Sequence, residues 1–181
     1  HNPVEKVMIT DSQEYWDTIL WEASQEDTET IMISTYGMYA GISDTGENTA
    51  AKYSFDRRPQ KILGLSNKGK KVIFLLSESD PIICTPDCEH CIAKSKKRDA
   101  RNNAHFDAWP NVSWFLTQSH HLKAFLVKKK DGRVLGYTGG RNFSSSSWRD
   151  VSVELSEDDA TALMKYLIFV IKTHAVKLSD I

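Results

Sequence analysis

No stretch of this sequence stays apolar for the roughly 18 residues that a membrane-crossing helix needs. The most apolar run, ALMKYLIFVI from Ala162, is too short and is interrupted by Lys165. The N-terminus lacks the apolar core of a signal peptide, so an intracellular protein without stable membrane insertion is expected, not a secreted one. The first residue is His1 and not methionine, which is compatible with a processed or cloned fragment. Cysteine is scarce: there are three, all within CTPDCEHC. A disulfide framework would use an even number spread along the chain, so this pattern excludes one. It points instead to a reducing compartment and to a metal site or reactive cluster. An excess of one charge is also missing. With 23 Lys and Arg against 24 Asp and Glu the net charge is −1, and global charge does not announce a nucleic-acid binder. There is no internal repeat, and no low-complexity segment beyond the serine run Ser144 to Ser147.

What the sequence does have is enough apolar residue for one core. The 181 residues, five of them tryptophan, are expected to form a single domain. The charge is unevenly placed. Acids crowd SQEDTET in the first third and SEDD of the last predicted helix, whereas bases crowd KSKKRDAR (Lys94 to Arg101) and Lys128 to Lys130. A local basic surface can hold a phosphate backbone even when the whole chain is neutral.

Periodicity gives the elements. KVMIT reads as a short strand. DSQEYWDTILWEASQ reads as a helix capped by Asp11 or Ser12, with Tyr15, Trp16, Ile19, Leu20 and Ala23 on one face. TIMISTYGMY and KVIFLL are β-branched or continuous apolar runs, hence buried strands. Between them RRPQKILGLSNKGK reads as a short helix ending near Asn67 or Gly69. A polar helix is predicted from about residue 92 to 106. NVSWFLT is a strand, HLKAFLVKK and RVLGYTG form a hairpin about Asp131-Gly132, and DVSVEL is a further strand. SEDDATALMKYLIFVIKTHAV is the last helix, capped by Ser156 with acids in its first turn. The fold class expected is α/β: a mixed, mainly parallel sheet flanked by helices on both faces.

The chemistry concentrates in the hairpin. His121 and Lys123 are two apart on a predicted strand and so share a face. Gly139, Gly140 and Asn142 follow where the second strand ends, and Asp150 heads the next. A lysine supplies charge, an asparagine supplies donors, and a histidine can attack or carry a proton near neutral pH. Such a group suits a phosphate.

His-Leu-Lys followed by Gly-Gly-Arg-Asn resembles the signature of the phospholipase D superfamily, and TGGRN…WRDVSVEL is similar to the tail of that motif in bacterial cardiolipin synthases. The order of elements fits one catalytic half of that superfamily along nearly the whole chain. The resemblance implies that His121 is the nucleophile or its general-acid partner. It implies that Lys123 and Asn142 bind the non-bridging phosphate oxygens, and that Asp150 takes the place of the acid that orients the histidine. Two departures stand out. The superfamily has an aspartate five residues after the lysine, a supporting group in it, where this chain has Lys128; the nearest acid is Asp131. It also often has serine where this chain has Gly140. His120 stands three before Lys123, and the strand period favours His121. The chain carries one such motif, whereas the mechanism needs two histidines. A two-fold homodimer with both motifs facing the axis is therefore expected.

Cys84, Cys88 and Cys91 can wrap one ion, and structural zinc needs a fourth ligand. His105 fits better than His90, which is adjacent to Cys91, and Asp80 is weaker. The same spacing occurs in radical-SAM iron–sulfur enzymes, but those need a much longer barrel. A structural zinc in an insertion at about 80–106 is expected, with no catalytic metal. For substrate, nucleic acid is favoured: Lys94, Lys96, Lys97, Arg98 and Arg101 flank the cysteine loop, and Lys128, Lys129 and Lys130 the hairpin. A metal-independent nuclease is the first expectation. A phospholipid phosphodiesterase and a catalytically decayed binding domain are the alternatives.

Overall fold

The computed structural model describes residues 8–35, 58–77, 111–117, 120–141, 143 and 150–177. The predicted helix at 92–106 and the cysteine segment lie outside them.

Asp11 starts the first helix. Its backbone is extended and its side chain accepts a hydrogen bond from the Glu14 N–H at 2.8 Å, which satisfies one orphan donor of α1 (Ser12–Ser24). α1 buries Tyr15, Trp16, Ile19 and Ala23, the face that the sequence spacing indicates. β1 (Met8–Ile9) precedes it and β2 (Thr28–Thr35) follows. α2 (Arg58–Leu63) tightens into a 3-10 turn at Gly64–Lys68 and stops at Gly69, whose positive φ of 83° suits glycine. β3 (Lys71–Ser77), β4 (Val112–Thr117), the hairpin strands β5 (Ala124–Lys129) and β6 (Val134–Gly139), and β7 (Ser152–Glu154) come next. α3 (Glu157–His174) begins at Ser156, whose hydroxyl accepts from the Asp159 N–H, and it is followed by β8 (Ala175–Lys177).

The strands form one mixed sheet in the order β1-β7-β6-β5-β2-β3-β4-β8. Among the described residues only β2–β3 and β3–β4 are parallel; the other pairs are antiparallel. The sheet is therefore mixed but not mainly parallel. Strands buried on both sides show the same continuous apolar run in either direction, so the sequence pattern is silent on this point. Alternate residues of the central strands enter different clusters. Ile31, Ile33, Val72, Phe74, Phe125 and Val127 pack with Trp16 and Ile19 of α1 and Ile62 and Leu63 of α2. Met32, Leu75, Ala124 and Leu126 pack with Ala160, Met164 and Leu167 of α3. Two boundaries differ from the sequence-based expectation. β5 starts at Ala124 and not at His121, and the last helix ends at His174 because Ala175–Lys177 pairs with β4. A three-residue edge strand is too short to carry a period.

Candidate active site

β2, β3 and β4 run in the same direction, and their C-terminal ends share one edge of the sheet. The register Ser34↔Ala124, Ala124↔Thr138 and Gly139↔Ser152 brings the start of β5, the end of β6 and the start of β7 to that same edge. This is the edge at which open α/β sheets place ligands.

His121 and Lys123 lie there, just before β5. The imidazole is exposed, and Lys123 Nζ stands 3.2 Å from His121 Nδ1. An ammonium can only donate, so Nδ1 accepts and a neutral ring carries its proton on Nε2. That nitrogen is then a proton donor until Lys123 turns to another acceptor. The segment around this pair is held from two sides. Ser34 Oγ donates to the Leu122 carbonyl at 2.7 Å and lies 2.7 Å from His120 Nε2, and Thr138 Oγ1 donates to the Lys123 carbonyl at 2.8 Å. Burial, and after it the neighbouring His121, hold His120 below the usual imidazole range.

The glycine pair is demanded by close approach. A Cβ on Gly139 would sit 2.0 Å from the Val151 carbonyl oxygen. One on Gly140 would sit 2.0 Å from Asp150 Oδ1, so the Asp150 carboxylate occupies the space a side chain at 140 would need. The glycine at 140, where the superfamily often has serine, is thus matched to the position of Asp150. That carboxylate also accepts from the Val151 N–H at 2.8 Å.

Arg141 is buried and ties the chain beyond the glycine pair to its surroundings. Its guanidinium donates to the Thr10 carbonyl at 2.6 Å and to the Asp150 carbonyl, and lies 5.4 Å from the centre of the Tyr15 ring. Both bonds come from one terminal nitrogen, Nη2, and Arg141→Lys keeps the charge but loses the planar group that places this nitrogen and lies by the Tyr15 ring. A loss of about 1.5 kcal/mol is expected, measured by urea unfolding. Burial raises the Tyr15 phenol, despite the opposing Arg141 charge, and pushes Tyr137 up to about 12. Neither phenol is a base near neutral pH. Phe143 N–H donates to Thr35 Oγ1 at 2.9 Å, and the Phe143 ring packs on Trp16 and Phe74. Both chain neighbours of residue 142 are therefore anchored at this edge. Asn142 itself lies outside the described residues, as do Cys84, Cys88, Cys91, His105, Lys94, Lys96, Lys97, Arg98 and Arg101.

The lysine-rich turn is elsewhere. β5 has six residues, and at about 3.3 Å each the turn stands about 20 Å from Lys123, at the opposite edge. Lys128 and Lys130 are exposed there. Lys129 is not the surface base that its place in a lysine run suggests. Its side chain is 5% exposed, and its ammonium lies 3.0 Å from Asp27 Oδ1, 3.1 Å from Thr28 Oγ1 and 3.4 Å from Glu22 Oε2. Burying an ammonium requires such partners, and these are contributed by the end of α1 and the start of β2. Asp131 is occupied locally, accepting from the Arg133 N–H at 3.0 Å and from its Nε at 2.8 Å. Sequence reasoning missed Ser34, Thr35 and Thr138, and set His120 aside. A signal for the first two is present in TIMIST, where an apolar run ends in two hydroxyls.

No family model matches the chain, and no curated protein is similar to it in sequence. Solved structures are similar in fold. Polyphosphate kinase from Porphyromonas gingivalis aligns at 10% identity and a TM-score of 0.53, over 88% of this chain and 24% of that one. The archaeal chromatin protein TrmBL2 aligns at 13% identity and a TM-score of 0.52, over 98% of this chain and 56% of that one. The chain thus spans about a quarter of the first and just over half of the second. At these identities the likeness is one of fold.

Proposed function

We propose that this domain cleaves phosphodiesters through His121, acting as a homodimer on nucleic acid. The observation that carries the reading is the hydrogen-bonded His121–Lys123 pair at the C-terminal edge of the parallel strands. When a phosphodiester arrives, the Lys123 ammonium turns from His121 Nδ1 to the non-bridging oxygens, joined by Asn142. The freed imidazole attacks phosphorus, forming a P–N bond as the P–O bond to the leaving group breaks. His121 of a second copy, entering as the imidazolium, protonates that oxygen and is left neutral. Water then attacks phosphorus and gives its proton to the second histidine, and the P–N bond breaks.

The nucleic-acid assignment is supported by the bases of the 94–101 segment and by fold likeness to a protein described as binding DNA. A zinc held by Cys84, Cys88, Cys91 and His105 would be structural. Three thiolates and one imidazole make a complete tetrahedral donor set, and metal analysis checks it. A second reading is a binding domain without catalysis, favoured by the likeness to a chromatin protein over nearly the whole chain. The experiment is incubation with single-stranded DNA, duplex DNA, RNA and cardiolipin in the presence of chelator, with the active species sized by sedimentation. Metal-independent cleavage of a nucleic acid by a dimer supports the proposal. Turnover of cardiolipin alone, or activity confined to the monomer, overturns it. Binding without turnover leaves the second reading.

A further inference from the structure

We infer that Ser34 and His120 form a positioning pair for His121. The inference rests on the reading of His121 as the reacting histidine. It starts from where the two side chains point. His120 is buried, while its neighbour His121 is exposed. Ser34, near the end of β2, meets both neighbours of His121 with one hydroxyl: it donates to the Leu122 carbonyl and lies at hydrogen-bond distance from His120 Nε2, both at 2.7 Å. A hydroxyl has one proton. Since the carbonyl can only accept, the Ser34 proton goes to Leu122, and the Ser34 oxygen accepts from His120 Nε2–H. His120 is thereby fixed as one tautomer.

The consequence falls on His121. Residues 121–123 precede β5 and have no strand ladder to hold them. Ser34 pins residues 120 and 122, and Thr138 pins the carbonyl of 123. The backbone on either side of His121 is therefore anchored to β2 and β6, and the imidazole stands beside Lys123. In a displacement at phosphorus the attacking nitrogen must be held close to line, and a misplacement of about 1 Å costs about 100-fold in rate. His120 touches neither phosphate nor leaving group in this arrangement. It acts through its neighbour.

The test combines cleavage rates with nitrogen NMR of the imidazoles at pH 7, in wild type, Ser34→Ala, His120→Ala and His120→Gln. Gln offers an amide N–H where His120 has Nε2–H. Wild type is expected to show His120 as the Nε2-protonated tautomer and His121 with Nδ1 accepting a hydrogen bond. Ser34→Ala and His120→Ala are expected to average the His121 signals toward those of a free histidine. They should lower kcat by about 100-fold with KM unchanged, and His120→Gln should restore most of the rate. A merely structural role would lower the melting temperature but leave the kcat–KM split and the His121 signals alone. If Ser34→Ala does not fold, the comparison of His120→Ala with His120→Gln decides. Unchanged His121 signals in the alanine variants, or Gln as slow as Ala, overturns the inference. Should His121→Ala cleave as fast as wild type, the catalytic reading falls instead, and the nitrogen spectra still report whether Ser34 and His120 hold His121.

Discussion

His121→Ala is expected to lower kcat by at least about 1000-fold, the scale on which removal of a nucleophile acts in covalent catalysis. The melting temperature should not change. His121 is exposed and packs into neither core cluster, and substitutions at such sites are usually worth within about 0.5 kcal/mol. Loss of rate without loss of stability would place His121 in the chemistry. Lys123→Ala should act differently. Its ammonium stabilises charge on the phosphoryl oxygens, so kcat should fall by about 100-fold and KM should rise as well. Lys123→Arg should recover part of the binding but not the rate, because a planar fork does not reproduce a point charge that must swing between His121 Nδ1 and the phosphate. The assay is initial-rate cleavage of a labelled oligonucleotide with chelator present. Cleavage by His121→Ala at the wild-type rate would sink the mechanism.

The hairpin motif was legible because its logic is local. Two residues apart on an extended chain is one face, and the pair does meet, although the regular strand begins only at Ala124. The capped helices were legible for the same reason: Asp11 and Ser156 announce themselves within three residues of the N–H groups they accept from. What could not be read was non-local. Ser34 and His120 are separated by 86 residues, and only the β2–β5 pairing joins them. The sense of that pairing is invisible to a hydrophobic pattern, which is why the sheet is less parallel than expected.

The departure at position 128 also changes meaning once the register is known. Five residues beyond Lys123, Lys128 stands at the far end of β5, where the chain pairs with Thr30. At about 3.3 Å per residue an acid there would sit about 17 Å from Lys123. The missing aspartate is a change at the opposite edge of the sheet, and the geometry of His121 and Lys123 does not depend on it. That edge has its own charge arrangement, centred on Lys129.

Lys129→Met is expected to destabilise the domain by about 3 kcal/mol, as breaking a buried ion pair does by leaving one partner uncompensated. Glu22 Oε2 is buried and faces the Lys129 ammonium at 3.4 Å; methionine fills the space of the stem and supplies no charge. Adding Glu22→Leu should recover most of the loss, because the uncompensated carboxylate is then gone. The effect should also depend on pH in a defined direction. The Lys129 ammonium, by its hydrogen bond first, holds the Asp27 carboxyl below the usual carboxylate range. A carboxyl depressed in the folded state contributes stability that is complete above its unfolded value, about 3.9, and is lost as pH falls through the lowered folded value. The gap between wild type and Lys129→Met should therefore be constant from neutral pH down to about 5 and narrow below about 4 by the part that Asp27 contributes, as read from urea unfolding at each pH. The same variant decides between two roles for this lysine. A phosphate contact would make Lys129→Met weaken nucleic-acid binding and flatten its salt dependence while leaving stability intact. A buried anchor between α1, β2 and β5 gives the reverse: a less stable fold whose surviving molecules bind as tightly as before.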